Sequence, residues 1–111
     1  MSTDFNIISE LHSDTLVMKT DGYINNTGGE KIAQEFSKHA NNVKKVIIDL
    51  KKSKVVNSIG ISYLLEIIEN LNQNGGKLFF TNLDPTIEKT FTIMGIFQFA
   101  EKTDSIDSIT S

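Results

Sequence analysis

The sequence predicts an α/β fold built on a mixed, mostly parallel sheet of four or five strands. Three observations carry this. Short apolar runs alternate with longer segments of helical spacing, in the order β-β-α-β-α-β-α-β-α. The first two runs are close enough to form a hairpin, whereas a helix separates each later pair, so the later strands run parallel through right-handed crossovers. Gly, Asn, Asp and the single Pro fall mostly at the joints between segments.

The elements follow in order. Phe5–Ser9 and Thr15–Thr20 read as strands, with His12, Ser13 and Asp14 as the turn between them and Gly22 breaking the second. Ile32, Ala33, Phe36 and Ala40 form one stripe of an amphipathic helix over Gly28–His39. Asn25, Asn26 or Thr27 supplies its cap, and Asn41 and Asn42 end it. Lys45–Leu50 is a short buried strand, with Val55 and Val56 after a polar break. A long helix then spans about Ser58–Asn72. Ile61, Leu64, Leu65, Ile68 and Leu71 make its inner face, widened by Ile59, Tyr63 and Ile67. Gly75 and Gly76 stop it as a left-handed cap would. Lys77–Thr81 is the next strand. Asp84 and Pro85 start a helix whose buried stripe is Ile87, Phe91 and Met94, and Gly95 ends it. Phe97–Ala100 reads as a last strand, and Asp104 as the cap of a terminal helix through Ile106 and Ile109.

Composition narrows the function. The 111 residues suit one domain over 1–111. Surface scaling gives about 6,100 Å² exposed when folded, with about two-thirds of the unfolded surface buried. There is no Cys, which excludes disulfides, thiolate metal sites and cysteine nucleophiles. His12 and His39 lack metal-ligand spacing, and no cofactor is expected. All eleven basic residues are Lys, and the net charge is −3. An acidic chain without Arg is poorly suited to nucleic acid, whose binding rests on phosphate neutralisation. The Lys44, Lys45, Lys51, Lys52 and Lys54 cluster reads as solvated strand ends. No apolar run approaches the length of about 18 residues that a membrane span needs. MSTDFNIISE has no basic-then-apolar order of a signal peptide, so the expected location is the cytoplasm.

The unusual local feature is VVNSIGISYLL, residues 55–65. A buried strand is followed by Asn57, Ser58 and Gly60, and then by an apolar helix. Functional groups in open α/β sheets gather at such turns. Free amides and the helix dipole would favour a phosphate on Ser58. On residue chemistry alone the favoured reading is the structural one, with Asn57 as a cap and Ser58 as an ordinary first-turn residue, since capping is the common use of Asn and Ser. A hydrolase is disfavoured, because Val56 breaks G-x-S-x-G and neither His is near in sequence. Glu66 and Glu69 lie on the wet helix side, without a cleft for paired carboxylate chemistry. A phosphoacceptor role for Asp49 would need an acidic pair after the first strand, where Ser9–Glu10 gives one carboxylate. No enzyme is expected.

At VVNSIGI the chain resembles the STAS domain, in particular the small stand-alone anti-sigma-factor antagonists of bacteria, and the resemblance covers nearly the whole length. The family's strand pair ends in L-x-G-x-L-D; here Met18–Asn25 reads MKTDGYIN, with Asn25 at the acidic position. Its signature strand ending in D-L, followed by D-S-S-G-L-G, corresponds to IDL, KKSKVV and NSIGIS. A helix ending in Gly-Gly, a strand and NLDPTIEKTFTIMGIF complete the order. The resemblance implies the STAS fold, with helices packed mainly on one face of the sheet. It implies an antagonist that binds an anti-sigma factor, often a serine kinase, and so releases a sigma factor. The kinase phosphorylates a serine at the start of the second helix, and a serine phosphatase restores it. By alignment that serine is Ser58, with Asn57, Ile59, Gly60 and Ile61 flanking the partner surface and Asn25 and Asn26 near it. Two positions depart from the pattern. Asn57 replaces an Asp, and Ile59 replaces a second Ser. The alternative is an unphosphorylated STAS scaffold or subunit in a stressosome-like or lipid-transport complex.

Overall fold

The computed structural model describes residues 5–110; the first four residues of the N-terminal segment read above lie outside them. Five strands form one sheet in the order β1 (Asn6–His12), β2 (Thr15–Asp21), β3 (Lys45–Lys52), β4 (Lys77–Thr81) and β5 (Glu101–Lys102). β1 and β2 pair antiparallel, and every later pair is parallel. The crossovers carry α1 (Asn26–Ser37), α2 (Ser58–Gln73) and α3 (Pro85–Ile93); a short α4 (Asp107–Thr110) follows β5. The accessible surface is 6227 Å², close to the value of about 6,100 Å² that chain length dictates.

Side chains alternate along a strand, so Leu16 and Met18 share one face with Val46, Ile48, Leu50, Leu78 and Phe80. All seven are buried in one cluster with Ile32 and Phe36 of α1, Leu64 and Ile68 of α2, and Ile87 and Phe91 of α3. The helices therefore pack mainly on that face. Val17 and Ile47 occupy the other face and are buried outside this cluster. The fold is α/β, as the alternation of elements predicts.

Several local expectations are corrected. β1 begins one residue later and runs three residues further than read, and His12 pairs with Thr15 inside the hairpin. The turn is Ser13–Asp14, with Ser13 at φ +57°. α1 ends at Ser37, and Ala40 packs against the core from the loop beyond it. Phe97–Ala100 is not a strand. Gly95, at φ +75°, ends α3, and Ile96–Gln98 coil into a 3₁₀ turn before β5. Ile96 and Ala100 are buried while Gln98 between them is exposed, which is helical spacing and not the i, i+2, i+4 alternation of a strand. Met94 caps the end of α3 and is half exposed, because the chain reverses immediately after it. In α2, Leu65 faces outward and Ile67 inward. Ser105, not Asp104, caps the last turn: its Oγ accepts from the Ser108 amide at 3.2 Å.

Asp84 behaves as read, its carboxylate accepting from the Thr86 amide at 3.1 Å with Pro85 in the first turn. The helix it starts delivers Phe91 to Phe80, ring centroids 5.0 Å apart and planes tilted by 52°. Both rings are fully buried. Phe80→Ala is expected to cost about 3–5 kcal/mol, read by denaturant unfolding, because it removes a buried aromatic and leaves a cavity.

Candidate functional site

The loop after β2 and the loop after β3 run side by side. The Gly22 amide donates to the Lys52 carbonyl at 3.1 Å, and Ile24 to Val55 at 3.0 Å. Asn57 then donates back to the Ile24 carbonyl at 3.1 Å, and Ile24 and Val56 form an isolated parallel bridge. These contacts seat two helix starts together. Asn25 caps α1, its Oδ1 accepting from the Gly28 amide at 2.9 Å. Asn57 caps α2 in the same way, from the Gly60 amide at 2.8 Å. Both have extended backbone at the cap, as an N-cap requires. Of the three candidate caps for α1, Asn25 serves; Asn26 is the exposed first residue of the helix.

Glycine makes the close approach possible. A Cβ on Gly60 would lie 2.1 Å from the Ile24 carbonyl oxygen, and one on Gly29 would strike the Tyr63 ring at 2.7 Å. Neither contact is tolerable, so the two helix starts touch only because these residues lack side chains.

Ser58 is the first residue of α2. It is exposed, and its hydroxyl makes no hydrogen bond within the described residues. Neither α1 nor α2 has an acidic residue in its first turn. The positive ends of two helix dipoles therefore stand beside each other without a carboxylate to offset them. A phosphate ester on Ser58 would be stabilised by its own helix end, about 0.3–1 kcal/mol for an exposed site. Ile59 is half exposed beside it, whereas Gly60 and Ile61 are buried. Those last two support the surface rather than line it. Tyr23 and Val55, on the two joined loops, present exposed apolar side chains: Tyr23 was left out of the sequence reading, and Val55, read there as part of a buried strand, lies in a loop, where only Val56 makes a single bridge. An aromatic residue inside the polar stretch TDGYINN was the available signal for Tyr23.

The other candidate groups are used structurally. Asp49 Oδ1 accepts from the Lys51 amide and from Asn82 Nδ2, both at 2.9 Å, tying the end of β3 to the loop after β4. His12 bonds to Glu10 at 3.1 Å on the outermost strand. Among the described residues no three His, Asp or Glu side chains could hold a metal together, and no helix is long and apolar enough to cross a membrane.

The sequence matches the STAS domain family over residues 6–108, and the chain belongs to that family. Among curated proteins none matches the sequence. Solved structures share the fold. The anti-sigma factor antagonist SpoIIAA in its unphosphorylated form superimposes with a TM-score of 0.80 at 20% identity, over 94% of this chain and 93% of that one. SpoIIAA in the phosphorylated form, a Bacillus cell fate determinant, gives 0.76 at 20% identity, over 94% and 96%. An anti-sigma factor antagonist from Mycobacterium paratuberculosis gives 0.80 at 17% identity, over 97% and 92%. This chain is thus a STAS domain whose fold resembles that of anti-sigma factor antagonists.

Asn57→Ala is expected to cost about 1 kcal/mol, the usual value of a lost N-cap. Gly60→Ala is expected to cost about 1–3 kcal/mol through overpacking. The two are separated by amide chemical shifts: only the Gly60 variant moves Ile24 and Asn25 across the loop junction.

Proposed function

We propose that this chain is an anti-sigma-factor antagonist. It binds an anti-sigma factor that is a serine kinase, and so frees a sigma factor. Phosphorylation of Ser58 breaks the complex, and a serine phosphatase restores it. The observation that supports this most is the state of Ser58: an exposed hydroxyl with no internal partner, heading α2 where two uncompensated helix N-termini meet. The fold likeness to SpoIIAA, known in unphosphorylated and phosphorylated forms, agrees with it. Exposure lets a kinase reach the hydroxyl, and the helix ends let the product form without strain. Asn25, Asn26, Asn57 and Ile59, with Tyr23 and Val55, surround the point of modification as the partner surface.

The charge explains the switch. A phosphate adds about −1.5 to −2 at one spot. Set inside an interface, it must be dehydrated and matched, and a loss of about 2.7 kcal/mol already weakens binding about a hundredfold. The protein belongs to the cytoplasm in this reading and performs no catalysis itself. A second reading is a STAS scaffold subunit without phosphorylation. Asn57 favours it, because the family's acidic residue before the serine is missing.

The test is incubation with ATP and the serine kinase encoded nearest its gene, read by intact mass, beside Ser58→Ala. One phosphate, lost in the variant, is expected. Ser58→Asp is expected to weaken kinase binding about a hundredfold by calorimetry. Binding without phosphate removes the switch and keeps the partner. Absence of both turns the assignment to the scaffold.

A further inference from the structure

The outward side of α2 does not stop at Ser58. Ser58, Ser62, Leu65, Glu69 and Asn72 recur every three or four residues, so they form one stripe along the helix. From Ser62 onward this stripe lines a groove of about 760 Å³ whose other wall is Phe99, just beyond the 3₁₀ turn. Two large apolar side chains meet water there: Leu65 is 39% exposed and Phe99 51%. The charge of the helix is equally one-sided. Across its 16 residues α2 carries Glu66 and Glu69 and no Lys. Both carboxylates are exposed on the groove, and among the described residues neither has an ion-pair partner. Of the other five Glu, Glu10, Glu35, Glu88 and Glu101 are each paired with a Lys, and only Glu30 of α1 is not among the described residues' ion pairs.

We propose that this groove is a second docking site, and that it receives a segment of a protein partner with an apolar anchor flanked by Lys or Arg. The anchor lodges between Leu65 and Phe99. The cations reach Glu66 and Glu69, which the chain leaves unneutralised. The groove shares a helix face with Ser58, so one partner can occupy both; in that respect the inference rests on the reading of Ser58 above. An apolar centre with charged groups at its rim is the usual anatomy of a protein interface, and exposed carboxylates disfavour an anionic lipid surface.

The test uses the full chain, labelled with ¹⁵N, and a defined probe. The probe is a short synthetic amphipathic helix with Leu and Phe on one side and Lys at its flanks; its twin carries Glu for every Lys. Amide shifts confined to the second half of α2 and to Phe99 are expected, with the Lys probe at least about tenfold tighter than its twin. Glu66→Lys combined with Glu69→Lys should erase or invert that preference. Leu65→Ser combined with Phe99→Ser should weaken binding about tenfold or more. Both pairs alter exposed side chains, and thermal melts confirm that the fold is retained. Shifts scattered over other acidic residues, equal affinity for the two probes, or insensitivity to both variants would overturn the proposal. So would sedimentation showing that a second copy of the chain fills the groove. The probe needs neither kinase nor Ser58, so a failed phosphorylation and a failed groove are separate results.

Discussion

The contact on which the site depends is the approach of α2 to the Ile24 carbonyl. Gly60 has room there for a hydrogen and nothing larger. Once the approach is made, the hydrogen bonds from Ile24 to Val55 and from Asn57 to Ile24 close around it. Each is worth on the order of 1 kcal/mol, and they share one geometry, so losing the approach would loosen all of them. The same contact gives the pair of helix starts its electrostatic character. Two N-termini that would otherwise stand apart become neighbours, each capped by a neutral Asn. Neutral caps satisfy an amide without offsetting the dipole, which an Asp in either place would do.

This arrangement separates the fold from the proposed switch. The Ser58 hydroxyl makes no hydrogen bond within the described residues, and its side chain is outside the core. Adding a phosphate therefore changes the charge of the surface and leaves the packing beneath it alone. The core supplies the rigidity: Ile61 and Leu64, one turn on, are buried against the sheet and fix the direction of the helix start. A group on such a seat cannot retreat when a partner presses on it, so the partner meets the whole charge. The proposed switch would then act between molecules rather than by unfolding.

Most of the fold was legible, because its signals are local and redundant. Alternating apolar runs, Asp84–Pro85 and the Gly75–Gly76 stop all reappear as strand, helix start and helix end. Ser58 heads α2 as the sequence indicated. What failed depends on the direction of the chain after a turn. Phe97–Ala100 has the composition of a strand, but the left-handed Gly95 sends it into a tight coil, which buries Ile96 and Ala100 and leaves Phe99 in water. Leu65 and Ile67 exchanged roles because a wide apolar stripe does not by itself say where its centre lies. The stitching of the two loops was not legible at all. It rests on backbone groups from segments about thirty residues apart in sequence, and backbone carries no signature in composition.

The distribution of charge constrains how a phosphate could release a partner. The outer side of α2 carries two carboxylates and no cation. Phosphorylation of Ser58 would bring that side from −2 to about −4. For a cationic partner the long-range attraction then grows rather than falls, and encounter should be faster, most clearly at low salt. Release must come from short range. At the head of the helix a partner packed closely against Ser58, Ile59 and Tyr23 has no space for a hydrated phosphate. The group must either shed its water or push the partner away, and dehydration of a charged group is the larger energy. On the proposed reading the dissociation rate would rise more than the association rate, and the complex would open from the Ser58 end. In these proposals charge along the groove and closeness at the head would do different work: the first would bring the partner, and the second would decide whether it stays.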